Sequence, residues 1–273
     1  PNEALLYNIS GICYKTIGQL DEAVKSFKKA LTIKPDYAEV YYNLGVTFQE
    51  LGQLDAAVKS YEEALAIKPD YAIACNNLGF ILQELGQLDS AVKSYEKTLA
   101  INPNFTEAHN NLGITLKNLG QLDAAVKSFE KALAINPDFA EAHNSLGIAL
   151  NDLGQLDAAV KSFEKALAIK PDFAEAHNNL GITLKELDQL NAAVKSFEKA
   201  LAIKPDYAEA HNNLGNTLND LGQPDAAIRC YDKALAINPD YAEAYQNHGG
   251  AMKRLKRLDE ALVSYERAIT LKP

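Results

Sequence analysis

The stretch Glu107–Pro137 reads EAHNNLGITLKNLGQLDAAVKSFEKALAINP, and the same wording returns at a fixed interval along the chain. Pro35, Pro69, Pro103, Pro137, Pro171, Pro205, Pro239 and Pro273 lie 34 residues apart with no insertion. Gly11, Gly45, Gly79, Gly113, Gly147, Gly181, Gly215 and Gly249 keep the same step. A period of this length outranks any domain count drawn from chain length, because it makes the repeat the unit of structure. The register divides the chain into eight repeats, 4–37, 38–71, 72–105, 106–139, 140–173, 174–207, 208–241 and 242–273. Residues 1–273 are therefore expected to form a single solenoid in which each repeat contacts only its neighbours.

Positions within a repeat are numbered 1 to 34, so that the fourth runs from Thr106 to Phe139. Ala108, Leu112, Gly113, Thr115, Leu116 and Leu119 recur at helical spacing and form one buried stripe. Gly120, at position 15, suits a left-handed helix stop. Asp123 then serves as the expected N-cap of a second helix. A second stripe follows in Ala125, Val126, Phe129, Ala132, Leu133 and Ile135, ended by Pro137. Asp138 and Glu141 read as the capping pair of the next helix. Each repeat is thus two antiparallel helices that cannot bury their stripes alone. Asp188 stands where the other turns carry glycine, which predicts strain there. The run Met252-Lys253-Arg254-Leu255-Lys256-Arg257 predicts a broken turn in repeat 8.

These residues resemble the tetratricopeptide repeat. Its pattern W-x2-L-G-x2-Y…A-x3-F…P becomes His109-x2-Leu112-Gly113-x2-Leu116…Ala125-x3-Phe129…Pro137. The resemblance spans essentially the whole chain, and in style the chain is similar to the repeat half of the O-linked N-acetylglucosamine transferases and to bacterial repeat proteins of that kind. It implies an all-α fold, an alpha-alpha superhelix (right-handed solenoid) of eight helix-turn-helix repeats. It also implies a concave groove lined by positions 2, 5, 6, 9, 12 and 13 of the first helices. Helical spacing separately places 2, 5, 6, 9 and 13 opposite the buried stripe.

Position 6 carries Asn43, Asn77, Asn111, Asn179, Asn213 and Asn247, with Ile9 and Ser145 in the two remaining repeats. Asparagine offers a donor and an acceptor on one short arm. A row of them can hold the backbone of an extended peptide whatever its side chains, as the resemblance implies; the same row can also link one repeat to the next. Asn110, Asn144, Asn178 and Asn212, with Asn76, stand beside it at position 5 and either widen the ladder or form polar surface. Leu5, Ile9, Ile12, Tyr42, Val46, Ile73 and Phe80 mark an apolar mouth at the N-terminal end of the groove. That mouth either seats apolar side chains or is covered by other protein. The Glu residues at position 2 are read as capping groups rather than as an acidic recruiting surface.

His109, His143, His177 and His211 recur once per repeat at position 4. Equivalent helices of stacked repeats stand about 10 Å apart, whereas zinc needs each ligand within about 2.1 Å. Packing, with a polar nitrogen finding a partner, is the expected role, and neither metal nor cofactor is expected. Cys13, Cys75 and Cys230 fall in repeats that do not touch, so three reduced, mostly buried thiols in a cytoplasmic setting are expected. A formal net charge of −9 argues against duplex nucleic acid as a partner. No apolar run of about 18 residues argues for a membrane span. No nucleophile elbow, phosphate loop or convergent acid–base pair is present, so the chain is expected to be non-catalytic. The expected function is a scaffold that binds an extended protein or peptide segment. Two alternatives are the substrate-selecting arm of a larger transferase, and self-association through Leu262, Tyr265, Ile269 and Leu271 of an uncapped last repeat; a start in mid-pattern without Met and that uncapped end read as a piece of a longer protein.

Overall fold

The computed structural model describes residues 2–272. Its first compact unit, residues 1–137, holds α1 (Asn2–Thr16), α2 (Leu20–Ile33), α3 (Ala38–Glu50), α4 (Leu54–Ile67), α5 (Ala72–Glu84), α6 (Leu88–Ile101), α7 (Thr106–Asn118) and α8 (Leu122–Ile135). The second, residues 138–273, holds α9 (Ala140–Asp152), α10 (Leu156–Ile169), α11 (Ala174–Glu186), α12 (Leu190–Ile203), α13 (Ala208–Asp220), α14 (Pro224–Ile237), α15 (Ala242–Arg254) and α16 (Leu258–Leu271). Each unit is four helix-turn-helix repeats. Within a unit, the second helix of one repeat packs on the first helix of the next, as α2 on α3 and α10 on α11. First helices also touch one another, as α5 touches α7 and α13 touches α15, which brings their position-5 and position-6 residues side by side.

The glycine at position 8 explains how each hairpin closes. A Cβ on Gly113 would meet the Phe129 ring at 2.6 Å, and one on Gly45 would meet the Tyr61 ring at 2.7 Å. Both rings are fully buried. The absent side chain is what lets the second helix lay an aromatic face on the backbone of the first.

The turn is a Schellman stop. Gly120 takes φ 74°, its N–H donates to Lys117 O, and the Gln121 N–H donates to Leu116 O. Gln121 is at once the end of this motif and the N-cap residue of α8, which leaves no place for Asp123 as cap. Asp123 sits in the first turn instead, where it favours the helix dipole. The other expected cap fails likewise: Phe139 is the N-cap residue of α9, with no side-chain cap bond. Glu141 instead pairs with Lys170 at 3.2 Å, and Glu175 with Lys204 at 3.8 Å, both exposed ion pairs of small worth.

Repeat 8 corrects a second expectation. Its turn is intact, with the spacing of the others, because Lys256 accepts the left-handed conformation at φ 61°. Asp188 does the same at φ 59°. Both lack the freedom that glycine brings to this region. Asp188→Gly should raise stability by about 0.5 kcal/mol and Lys256→Gly by about 1 kcal/mol; urea midpoints at unchanged slope check this.

Two burial expectations also change. The isoleucine at position 30 is partly exposed, 37% at Ile135 and 44% at Ile33, because it ends its helix at the rim rather than facing the next hairpin. Cys13 is exposed rather than buried, since among the described residues α1 packs only on α2 and α3. Burial pushes the Cys75 and Cys230 thiols up, so both stay protonated and unreactive.

Candidate functional site

The two asparagine rows meet across the repeats. Asn43 Nδ2 donates to Asn8 Oδ1 at 3.0 Å, Asn179 Nδ2 to Asn144 Oδ1 at 3.1 Å, Asn213 Nδ2 to Asn178 Oδ1 at 3.1 Å, and Asn247 Nδ2 to Asn212 Oδ1 at 3.0 Å. Each bond joins residues 35 apart, which is one repeat plus one position. Position 6 thus latches onto position 5 of the repeat before it. The sequence signal for this was the NN doublet itself, since a residue at i and one at i+35 lie on facing edges of neighbouring first helices.

Burial divides the rows. Asn76, Asn110, Asn178 and Asn212 are buried, while Asn43, Asn77, Asn111, Asn144, Asn179, Asn213 and Asn247 are half-buried. Position 5 is therefore a structural acceptor between repeats more than a groove surface. At Asn43, Asn179, Asn213 and Asn247 the latch takes one of the two amide hydrogens, and each of these residues stays half-buried. The latch is absent in the middle of the first unit. Asn77 Nδ2 instead donates to the Tyr42 hydroxyl at 3.4 Å, and the buried Asn76 Oδ1 has no partner.

The apolar mouth is assembled from α1, α3 and α5. Leu5, Ile9 and Ile12 are 45%, 47% and 42% exposed, and Ile73 is 41% exposed. Tyr42, Val46 and Phe80 are half-buried on the adjoining helices. Tyr42 is fixed by tilted ring contacts with Tyr61 and Tyr71, at centroid distances of 6.0 and 5.2 Å. On α5, Ile73, Asn76, Asn77 and Phe80 follow helical spacing, so apolar and amide groups share one face.

Position 10 adds a second layer of links between repeats. Thr115 Oγ1 donates to Gln83 Oε1, and Thr183 Oγ1 to Asn151 Oδ1, both at 2.6 Å. The position-12 residues that sequence reading assigned only to the groove thus help to hold the repeats together.

The histidines are packed. His109, His177 and His211 place Nε2 at 2.9, 3.1 and 3.0 Å from the carbonyls of Pro103, Pro171 and Pro205. His143 is buried at the same position. Among the described residues no cluster of acidic, histidine or cysteine side chains could hold a metal ion. Burial lowers the pKa of His177 and His211 below the usual histidine range, with Lys199 and Lys233 adding to the effect and the proline carbonyls opposing it. As pH falls below about 6.5, the unfolded chain binds protons that these native imidazoles resist, so stability falls with acid. Tyrosine occupies the same position in Tyr7, Tyr41 and Tyr245. A His177→Tyr/His211→Tyr variant should therefore lose less Tm between pH 7 and pH 5 than the parent, as calorimetry at matched ionic strength can read.

No described helix is long and apolar enough to cross a membrane. On α16, Leu258, Leu262, Val263 and Ile269 are 63%, 57%, 67% and 65% exposed.

Comparison with known proteins follows the same repeat. A family model described as TPR repeat matches residues 14–52, 47–86, 81–120, 149–188 and 183–222, and models described as tetratricopeptide repeat match 106–139, 208–241, 128–161 and 242–273. No match is found among curated proteins. The solved structure of MamA is 29% identical, with 59% of this chain and 94% of that one covered and a TM-score of 0.55. The structure of YrrB, described as a TPR protein with an unusual peptide-binding site, is 26% identical over 68% of this chain and 96% of that one, at TM-score 0.58. A tetratricopeptide repeat protein from Parabacteroides merdae ATCC 43184 is 20% identical over 92% and 100% of the two chains, at TM-score 0.72, and shares the fold. Eight hairpins in one register and repeat models along their length lead to one conclusion: the chain belongs to the tetratricopeptide repeat family.

Proposed function

We propose that this chain is a protein-interaction scaffold that holds an extended peptide segment along the first helices, through the outward-facing half of the position-6 asparagines. One observation carries the reading. Each latched asparagine has given one hydrogen to the preceding repeat, which fixes its carboxamide plane and leaves an acceptor and a donor at repeat spacing. A preoriented amide loses less freedom on binding than a mobile one. Each peptide bond held this way contributes about 0.5–1.5 kcal/mol net, so several must act together. In the first unit the apolar mouth takes apolar side chains of the same segment. That YrrB is described as having a peptide-binding site supports the reading by likeness.

The test is fluorescence anisotropy with an array of labelled unstructured peptides. Apolar-rich extended peptides should bind the parent. Asn179→Ala, Asn213→Ala and Asn247→Ala combined should weaken them at least about tenfold while helical content stays unchanged, which corresponds to about 1.4 kcal/mol. Equal binding by parent and variant would remove the ladder from the account.

A further inference from the structure

The second unit carries a cleft unlike the rest of the row. Position 9 is filled by Ile182 on α11, but by Asn216 on α13 and Gly250 on α15. The loss of two isoleucine-sized side chains opens a cleft of about 440 Å³ between α11, α13 and α15, with Tyr231 behind it. Its size is that of a small-ligand site.

The hydrogen bonds inside the unit decide what faces the opening. Asn216 Oδ1 accepts the Tyr231 hydroxyl at 2.8 Å, which turns Asn216 Nδ2 outward as a donor. Asn219 Oδ1 accepts from Arg254 Nη1 at 3.4 Å, which leaves Asn219 Nδ2 as a second donor. Asn247 Nδ2 gives one of its two hydrogens to Asn212 Oδ1 at 3.0 Å, which fixes the carboxamide and leaves Asn247 Oδ1 as the acceptor on the wall. The two charges on the wall cancel, since Lys185 Nζ lies 3.2 Å from Asp220 Oδ2.

We infer that this cleft is a specificity pocket for an uncharged carboxamide, the side chain of a glutamine or asparagine in the bound segment. A carboxamide has one oxygen to accept from the two asparagine donors and one NH2 to donate to Asn247 Oδ1. A carboxylate brings no donor for Asn247 and sets a second negative charge beside Asp220. A lysine offers nothing to the two donors and faces Lys185. A hydrocarbon desolvates three amide groups without bonding them, the arrangement against which polar sites discriminate most strongly. The inference deepens the peptide-scaffold reading, and it is tested here with small probes that do not need the ladder.

The probes are N-acetyl-glutamine N-methylamide and its leucine and glutamate counterparts, titrated at millimolar concentration into the full chain. The side-chain NH2 resonances of Asn216, Asn219 and Asn247 are followed by NMR. The glutamine probe should shift all three saturably and bind at least about tenfold more tightly than the others. Gly250→Ile restores the residue type of repeat 6, and a Cβ at Gly250 meets nothing nearer than the Tyr265 hydroxyl at 3.8 Å. That variant should fold as the parent does and lose the response. Equal shifts from leucine or glutamate, no shift from glutamine, or an undiminished response in Gly250→Ile would each overturn the pocket. Long-peptide binding by the ladder would survive any of these, so the two readings fail separately.

Discussion

Phe129→Ala should lower the stability of the first unit by about 3–5 kcal/mol, the largest single effect anticipated in the chain. The ring is fully buried and lies on the backbone of α7, where a Cβ at Gly113 would come within 2.6 Å of it. Removing the ring leaves a cavity floored by a glycine, which has no side chain with which to fill it. The converse change, Gly113→Ala, forces the ring out of its place and should cost about 1–3 kcal/mol. The two changes share one contact, so they should not add: Gly113→Ala in a Phe129→Ala background should cost clearly less than in the parent. Urea titrations of the four proteins, followed by circular dichroism at 222 nm, give the cycle. Additive costs would mean that the ring and the glycine backbone are not the contact that closes the hairpin. Because the repeats couple mainly to their neighbours, the loss should appear in one part of the unfolding curve rather than across all of it.

The second large effect is expected at Asn212. Its side chain is fully buried, donates to Glu243 at 3.2 Å and to the Tyr241 hydroxyl at 3.4 Å, and accepts from Asn247 at 3.0 Å. Asn212→Ala removes three hydrogen bonds at once and leaves a buried hole where the side chain was, and should cost about 2–3 kcal/mol. Asn118→Ala provides the contrast. Asn118 is exposed at the end of α7, and its replacement should change stability by less than about 0.5 kcal/mol. A similar small loss at Asn212 would show that the latch is decorative. The comparison also separates stability from binding, since Asn212 faces inward whereas its partner Asn247 keeps an acceptor outward.

The repeat was legible from the sequence because the proline and glycine intervals never slip, and because Gly113, Ala125, Phe129 and Ala132 each have one structural use. Turn details were less legible. Asp123 has the chemistry of a cap, but Gln121 ends one helix and begins the next, and that sharing appears only in the backbone. Lys256 looked like a broken turn because its composition is foreign, yet the surrounding hairpin holds it in a conformation it would rarely choose alone. The asparagine doublet was visible as a row and ambiguous as a site. Neighbouring positions on a helix edge can face a partner helix or a ligand, and only the stacking of first helices shows that position 5 turns to the next repeat. The cleft at Gly250 went unread for a related reason. A missing side chain becomes a site only when three helices meet around it.

The account turns on whether the outward edge of the latched asparagines holds peptide backbone, and the cleanest probe alters the ligand rather than the protein. A peptide that binds in the array should be resynthesised with single backbone N-methyl groups, each removing one N–H donor, and its affinity measured by calorimetry. A clamp of this kind predicts that methylation at successive contact positions weakens binding about 2–12-fold each, while positions between them are tolerated. Full affinity for every N-methylated peptide would contradict it, and would leave the asparagine rows as latches between repeats and nothing more.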